Sequence, residues 1–458
     1  MNAPIATLES TTPALPAVST AYAADDFSHM TLPGWTYSNA EFFELEKEYL
    51  FLSNWMLVCH VSEVPNPGDF ATLRLMGERA LVIRGEDGEL RAFYNVCRHR
   101  ASAVVQGRTG SCSSTGIRCP YHGWVYGLDG SLKAVPAEAT FPGLDKADYG
   151  LKPIDIEVCL GFVFIRFRSV GPSVAERLAP YMPELAKYRL DEMVPYGEPW
   201  SADYDVDWKN IIDNYLEGYH VPVGHPGLYR LFGTRYEAEA QEGYVSRAMH
   251  WLRDKPSSNW SERHYQKLLP EATHLPEDRR RAWSYYTLLP NLGLDLYPDM
   301  IDFFQLIPTG PGKCRIRGRC LADQIRGPII SDQIGPIPNI TRGLRKSRYP
   351  SRCFQSRAAY SATVRVGTSP VPRRSRSPAV PWWTAWLWRQ FANGWKTRKA
   401  VRRPSQRLAR LVGRNEPWAQ SWKTMKVRSR KPAVGMARAM VIQTETPRPR
   451  YIATVSTR

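Results

Sequence analysis

Apolar and polar positions along the chain fall into three textures. Residues 39–52, NAEFFELEKEYLFL, place Phe42, Leu45, Tyr49 and Leu52 on one helical face, with Ser38 or Asn39 available as the cap. From Gly68 the texture becomes that of short strands. ALVIR-GEDGE-LRAFYNV reads as a hairpin around Asp87-Gly88, and WVYGLDGSLKAV repeats the pattern around Asp129-Gly130. VCLGFVFIRF, residues 158–167, reads as one further apolar strand. After Gly171 the pattern is mixed. SVAERLAPYMPELAKYRL is helical in part, interrupted at Pro180 and Pro183. DWKNIIDNYLEGYH, residues 207–220, is the clearest helix, capped by Asp207 and stopped by Pro222, with Trp208, Ile211, Ile212, Tyr215 and Tyr219 as its apolar face. AWSYYTLLP, LGLDLYP, MIDFFQLIP and CRIRGRCLA then read as successive strands of a sheet. The expected fold class is α+β. An all-β domain over 55–167 is followed by a second domain over 168–340, with an antiparallel sheet flanked by helices, and the helix within 35–54 packs on that second domain.

The length of 458 residues allows two or three domains of ordinary size. No run of about 18 apolar residues is present, so no membrane-spanning helix is expected. Residues 1–34 are rich in Ala, Pro, Thr and Ser and read as a disordered leader of a cytoplasmic protein. The net charge of +17 is unevenly placed. Leu321 to Arg458 holds 29 Lys and Arg against the four acids Asp323, Asp332, Glu416 and Glu445, while the rest of the chain is net acidic. Apolar periodicity fades over the same stretch. Residues 341–458 are therefore expected to be irregular, an atypical basic segment of the kind an out-of-frame translation produces. The alternative is a basic appendage for nucleic acid or an acidic partner. The eight cysteines are expected to be buried thiols or metal ligands.

Two constellations carry chemistry. The first is Cys97-x-His99 and, further on, Cys119-x2-His122, each pair beside strand-like sequence and so on a loop at a hairpin tip. Two thiolates and two imidazoles suit a structural Zn²⁺. They also suit a Rieske [2Fe–2S] cluster, in which two cysteines hold one iron and two histidines the other. Zinc modules usually segregate their cysteines from their histidines. Here each pair mixes one of each, as a cluster needs if each loop gives one ligand to each iron. Gly123-Trp124, directly after His122, is placed to shield the second loop. The second constellation is DNYLEGYHVPVGHP, residues 213–226. On a helix, Asn210, Asp213, Glu217 and His220 share one face. Alone, that is a solvated polar face. With His225 in the loop beyond Pro222, free to fold back beside His220, two imidazoles and a carboxylate make a facial triad with open positions for O₂ on Fe(II).

NVCRHRASAVVQG and RCPYHGWVYGLDGSL resemble the Rieske motif of the Rieske non-haem iron oxygenases, as their large (α) subunit, and the resemblance covers residues about 35–320. Ala101 departs from it, since members usually have Gly there, and the segment around Cys112 is lengthened. The family's downstream motif matches Asp213-x3-Glu217-x2-His220-x4-His225. The resemblance implies a [2Fe–2S] cluster on Cys97, His99, Cys119 and His122, and a mononuclear Fe(II) on His220 and His225. It gives Glu217, usually Asp in the family, the role of bridging to a cluster histidine of the neighbouring subunit in a trimer-based homo-oligomer. Glu at this position is similar to the enzymes that oxidise quaternary ammonium compounds such as carnitine and stachydrine. Among Tyr229, Phe232, Trp251, Trp260, Tyr285, Tyr286, Tyr297, Phe303 and Phe304, some are then candidates for a methylammonium cage and most for core packing.

The third iron ligand implied by the resemblance is an Asp well downstream of His225. Asp323 and Asp332 fall short of that window, and neither lies in a segment like the family's ligand helix. No G-x-G-x-x-G follows a strand, and TGPGKC at 309–314 is not a P-loop. Electrons would therefore come from NAD(P)H through a separate flavin/iron–sulfur reductase or ferredoxin. The expected function is a terminal oxygenase that uses O₂ to hydroxylate a small organic substrate, by N-demethylation of a quaternary ammonium compound or by aromatic ring hydroxylation. The alternative is a non-catalytic electron-transfer or zinc-binding module with a structural histidine pair.

Overall fold

A computed structural model describes Leu32 and residues 34–323, apart from 113–114, 170, 234–235, 242–243, 270–271 and 299. The expected leader lies outside the described residues except at its end, and the basic segment and Asp332 lie wholly outside them. The described residues fall within one compact unit.

Helix α1 (Ala40–Glu46) is capped by Asn39, whose Oδ1 accepts the Phe42 N–H at 2.8 Å, and it continues as a π-turn over Lys47–Phe51. Phe42, Tyr49 and Leu52 are buried as the pattern predicts.

The β domain that follows contains β1 (Met56–His60), β2 (Asp69–Leu75), β3 (Glu78–Arg84), β4 (Leu90–Tyr94), β5 (Thr109–Ser111), β6 (Ile117–Arg118), β7 (Val125–Tyr126), β8 (Leu132–Ala134), β9 (Asp155–Cys159) and β10 (Phe162–Arg166). They form three antiparallel sheets in the orders β4-β3-β2-β5, β6-β7-β8 and β1-β10-β9. Both Asp-Gly turns join the strands that the pattern pairs. The single strand expected over 158–167 is instead a hairpin. Leu160 and Gly161 take φ of 54° and 78°, and Cys159 pairs with Phe162 across the turn. Two successive positive φ values make the tight turn whose twist suits antiparallel strands. The apolar run hid it because only one glycine marks it. A Cβ at Gly161 would lie 2.4 Å from the His60 ring, so the position also requires glycine for space.

The second domain begins with α2 (Val174–Leu178) and α3 (Met182–Leu185), then β11 (Met193–Tyr204), α4 (Trp208–Tyr215), α5 (Val221–Gly224), α6 (Pro226–Phe232), β12 (Tyr236–Gln241), β13 (Val245–Trp251), α7 (Trp260–Leu268), β14 (Ala282–Leu288), β15 (Leu292–Leu296), β16 (Ile301–Gly310) and β17 (Lys313–Asp323). Its strands form one antiparallel sheet in the order β11-β17-β16-β15-β14-β13-β12. Tyr286, Leu294, Ile301 and Phe303 pack with Leu178 and Leu185 of α2 and α3 on one face. Phe304 and Leu306 belong to the core that takes Trp208, Ile211 and Ile212 of α4 and Phe42 of α1. Burial of each of these large side chains is worth roughly 1.5–3 kcal/mol, which fixes α4 on the sheet.

Charge reinforces that seat. Lys209, 0% exposed, donates to Glu46 and Asp207, each at 2.6 Å. Burial pushes the Glu46 carboxyl up to about 7, with Lys209 acting against the rise. Removing one member of such a cluster strands the others in an apolar site at roughly 3–5 kcal/mol. Lys209→Met is therefore expected to lower unfolding stability by about 3 kcal/mol or more in urea titration at pH 8. A change below about 1 kcal/mol would contradict the buried network.

Between the domains, Glu63 accepts from Arg108 at 2.6 Å and from Arg319 of β17 at 2.8 Å. One nearly buried carboxylate thus ties the β domain to the large sheet.

Candidate metal centres

The first centre is built from two loops of matching shape. In one, the Ala101 N–H donates to the Cys97 carbonyl at 3.0 Å; in the other, the Gly123 N–H donates to the Cys119 carbonyl at 3.0 Å. Ala101 and Gly123 occupy equivalent corners, with φ of 56° and 71°. An L-residue held there costs about 1–2 kcal/mol against glycine's freedom. Ala101→Gly is therefore expected to raise the stability of the β domain by up to about 1 kcal/mol, read as an upward shift in its thermal transition. A fall in stability would contradict the strain argument.

The loops bring the four candidate ligands together. The His99 and His122 ring centroids stand 4.6 Å apart, and the Cys97 and Cys119 thiols interact with each other. Tyr126 anchors the first loop, its hydroxyl 3.2 Å from the Cys97 sulfur and accepting the Arg98 N–H at 3.0 Å. Trp124 is buried and stacks on His99 at 5.1 Å and 6°, so it covers the histidine of the first loop, not the second loop. His99 Nδ1 is buried with no hydrogen-bond partner among the described residues. An unsatisfied buried ring nitrogen costs roughly 1–3 kcal/mol unless something binds it. Burial, His122 and Arg100 all lower the His99 pKa, so the ring is neutral and can ligate. Burial and Cys97 raise the Cys119 thiol, so a cation is needed to hold both sulfurs as thiolates. Among the described residues no three His, Cys, Asp or Glu side chains are disposed about a single metal ion. A two-iron cluster divides its ligands between two centres, and the residues present fit it.

The second centre departs from the sequence pattern. The helix expected over 207–220 ends at Tyr215, so Glu217 and His220 lie beyond it and share no helical face with Asp213. The cause is local. A continuing helix would take the Tyr219 and His220 N–H groups; here Glu217 Oε2 accepts both, the second at 3.3 Å. Pro222 does not stop α4 but sits in the first turn of α5. Tyr219, expected in the apolar face, is 68% exposed. The short α5 folds the chain back and brings the His220 and His225 rings to 4.9 Å, near perpendicular. Glu217 Oε1 lies 2.5 Å from His220 Nδ1, leaving Nε2 for a metal. Burial and His220 lower the His225 pKa, keeping that imidazole neutral. Asp213 accepts from the Tyr37 hydroxyl at 2.9 Å. The pair fits a mononuclear metal with two histidine nitrogens. Among the described residues no carboxylate joins them, and of Asp323 only the strand position is described.

Two family profiles match this chain. One, described as the Rieske [2Fe–2S] domain, covers residues 54–148. The other, the catalytic domain of the ring-hydroxylating alpha subunit, covers residues 190–328. The chain belongs to the Rieske oxygenases. It is 37% identical over 204 residues to the carnitine monooxygenase oxygenase subunit of Acinetobacter pittii, covering 43% of this chain and 53% of that one. It is 33% identical over 207 residues to the glycine betaine monooxygenase oxygenase subunit of Pseudomonas aeruginosa, covering 44% and 46%. The chain thus spans about half the length of the curated relatives it matches. A crystal structure of a quaternary ammonium Rieske monooxygenase superposes with a TM-score of 0.62 at 22% identity, over 80% of this chain and 95% of that one, a likeness of fold.

In this Rieske oxygenase chain the aromatic candidates divide by sheet face. Phe232, Tyr285, Tyr297 and Phe304 lie on the side of α4 and α6. Tyr286 and Phe303 belong to the opposite core, with Tyr181 and Phe162, and can line no cage beside His220. Trp260 is exposed and stacks on His264. Motif spacing passes over His250 of β13. It is buried against Phe232 and Tyr285, and burial with the nearby His220 lowers its pKa to about 4. It therefore adds a neutral, polar ring to that side of the sheet. The signal lay in the sequence as one histidine in a largely apolar strand. Among the described residues no helix is long and apolar enough to cross a membrane.

Proposed function

We propose that this chain is the terminal oxygenase component of a system in which electrons from NAD(P)H arrive through a separate flavin/iron–sulfur reductase or ferredoxin. O₂ is the oxidant and a small quaternary ammonium compound the substrate. The observation that carries the reading is the Glu217–His220–His225 arrangement, a carboxylate holding one imidazole through Nδ1 with a second imidazole across from it. Bound there, Fe(II) would supply O₂ activation, and a [2Fe–2S] cluster on Cys97, His99, Cys119 and His122 would supply single electrons.

The chain's own residues do the positioning. Glu217 fixes the tautomer and direction of His220. Tyr126 and Trp124 fix the sulfur and ring geometry of the first centre. Phe232, Tyr285 and Tyr297 offer aromatic faces to a methylammonium group. Tyr121 beside His122, with Tyr219 and Val223 beside His220, are exposed apolar side chains at the two centres. They suit a trimer-based homo-oligomer in which the cluster tip of one copy meets the Glu217 turn of the next. The relatives named for carnitine and glycine betaine support the ammonium substrate.

Incubation with a surrogate reductase, NADH and O₂ tests the reading against a betaine series and simple aromatic acids. Betaine-dependent formaldehyde release is the expected result. Turnover of the aromatic acids alone would overturn the ammonium assignment.

We further infer that residues 341–458 are an out-of-frame translation. Support comes from their charge, opposite to that of the rest of the chain, and from the catalytic-domain match stopping at residue 328. The third iron ligand would then be encoded in the corrected frame. Resequencing the gene decides it, since a confirmed uninterrupted frame would refute the inference.

A further inference from the structure

The turn that carries Glu217 and His220 has no helix of its own. Helix α4 ends at Tyr215, so the turn stands where the last turn of α4 is held. Two hydroxyl–carboxylate hydrogen bonds hold that last turn. The Tyr37 hydroxyl donates to Asp213 at 2.9 Å, tying it to the N-terminal segment. The Tyr215 hydroxyl donates to Asp295 of β15, tying it to the sheet. The Tyr215 ring also stands edge-on to Phe304 at 4.7 Å and to Tyr285 at 6.2 Å.

Asp295 does not stand alone. Its direct cross-strand partner in β16 is Asp302, and both are 3% exposed. Tyr297 donates a longer bond to Asp295 at 3.4 Å. Two carboxylates this close in an apolar sheet cannot both ionise. Burial and the Asp295 charge raise Asp302 far above the usual carboxylate range, so Asp302 is the member of the pair that keeps the proton. A buried acid pair is a poor way to stabilise a sheet interior, where apolar side chains of similar volume serve as well or better. Its hydrogen bonds reach outward to the end of α4.

We propose that Tyr215 is a positioning residue for the His220/His225 centre, acting through the Asp295–Asp302 pair, which fixes where the Glu217–His220 turn stands. The proposal rests on the reading of that histidine pair as the iron site. Its effect is on metal affinity, because a misplaced turn breaks the alignment of the two imidazoles.

The test uses the full chain with its cluster intact and the mononuclear metal stripped by a chelator. Fe(II) binding is then measured by anaerobic equilibrium dialysis, with visible absorption of the cluster as an internal control. Tyr215→Phe, which removes one oxygen, is expected to weaken Fe(II) binding about 10–100-fold with the cluster spectrum unchanged. Asp302→Leu is expected to behave in the same way. Asp302→Asn keeps a neutral donor and is expected to restore affinity to within about 3-fold of the parent, a rescue that a loss of folding would not show. His225→Ala separates the two claims. If it binds Fe(II) as the parent does, the iron-site reading falls and the proposal with it. If His225→Ala is weakened while Tyr215→Phe matches the parent, only the positioning role is overturned.

Discussion

Replacing Glu217 with Gln is expected to lower turnover about 100-fold, while the cluster remains fully reducible by dithionite and the protein folded. Glu217 has two roles in the structure and a third in the proposed assembly. It closes the turn after α4 by accepting the Tyr219 and His220 N–H groups, and it holds His220 Nδ1 at 2.5 Å. As the proposed bridge, it would also meet a cluster histidine of a neighbouring copy. Gln keeps the size and an acceptor oxygen but loses the charge, so the charge-assisted bond to His220 weakens and the anionic bridge is lost. The distinguishing readout is single turnover. Pre-reduced Glu217→Gln protein mixed with O₂ and substrate should reoxidise its cluster far more slowly than the parent. Glu217→Asp keeps the charge with shorter reach and should fall between the two. Reoxidation of the Gln variant at the parental rate would remove Glu217 from the electron path.

Replacing Cys119 with Ser should abolish the cluster outright and, with it, much of the β domain's stability. The Cys119 loop is held by backbone bonds to Trp124 and Gly123, yet its thiol faces Cys97 in a buried site. Metal binding at such a site is also folding free energy, because the unfolded chain has no preformed site. The expected outcome is a colourless protein that has lost its cluster iron, has a lowered thermal transition, and still binds Fe(II) at His220 and His225. Full retention of the cluster spectrum would require another residue as ligand, with Cys112 the nearest alternative thiol in sequence.

Much of this architecture was legible in the residues because it depends on local chemistry. The Asp87-Gly88 and Asp129-Gly130 turns, the Asn39 cap and the strands β14 to β17 follow from turn residues and periodicity. The four candidate cluster ligands were legible because mixed Cys–His pairs have few other uses. What escaped had non-local or competing causes. The end of α4 depends on the Glu217 side chain taking backbone donors from the helix, which periodicity does not register. The hairpin at Leu160-Gly161 lay inside a run of apolar residues. Asp295 and Asp302 read as ordinary polar positions in strands, since their meeting depends on the register of β15 against β16. Ala101 was visible as a departure from the family's glycine, and its φ of 56° supplies the physical reason for that glycine.

The central claim is that Cys97, His99, Cys119 and His122 hold a two-iron cluster feeding the His220/His225 centre. The most direct measurement is metal content together with the low-temperature EPR spectrum of the dithionite-reduced protein. The expected result is a coloured protein in which iron predominates, with a half-spin signal from the mixed-valence iron pair. A colourless protein holding one zinc and silent in EPR after reduction would contradict it.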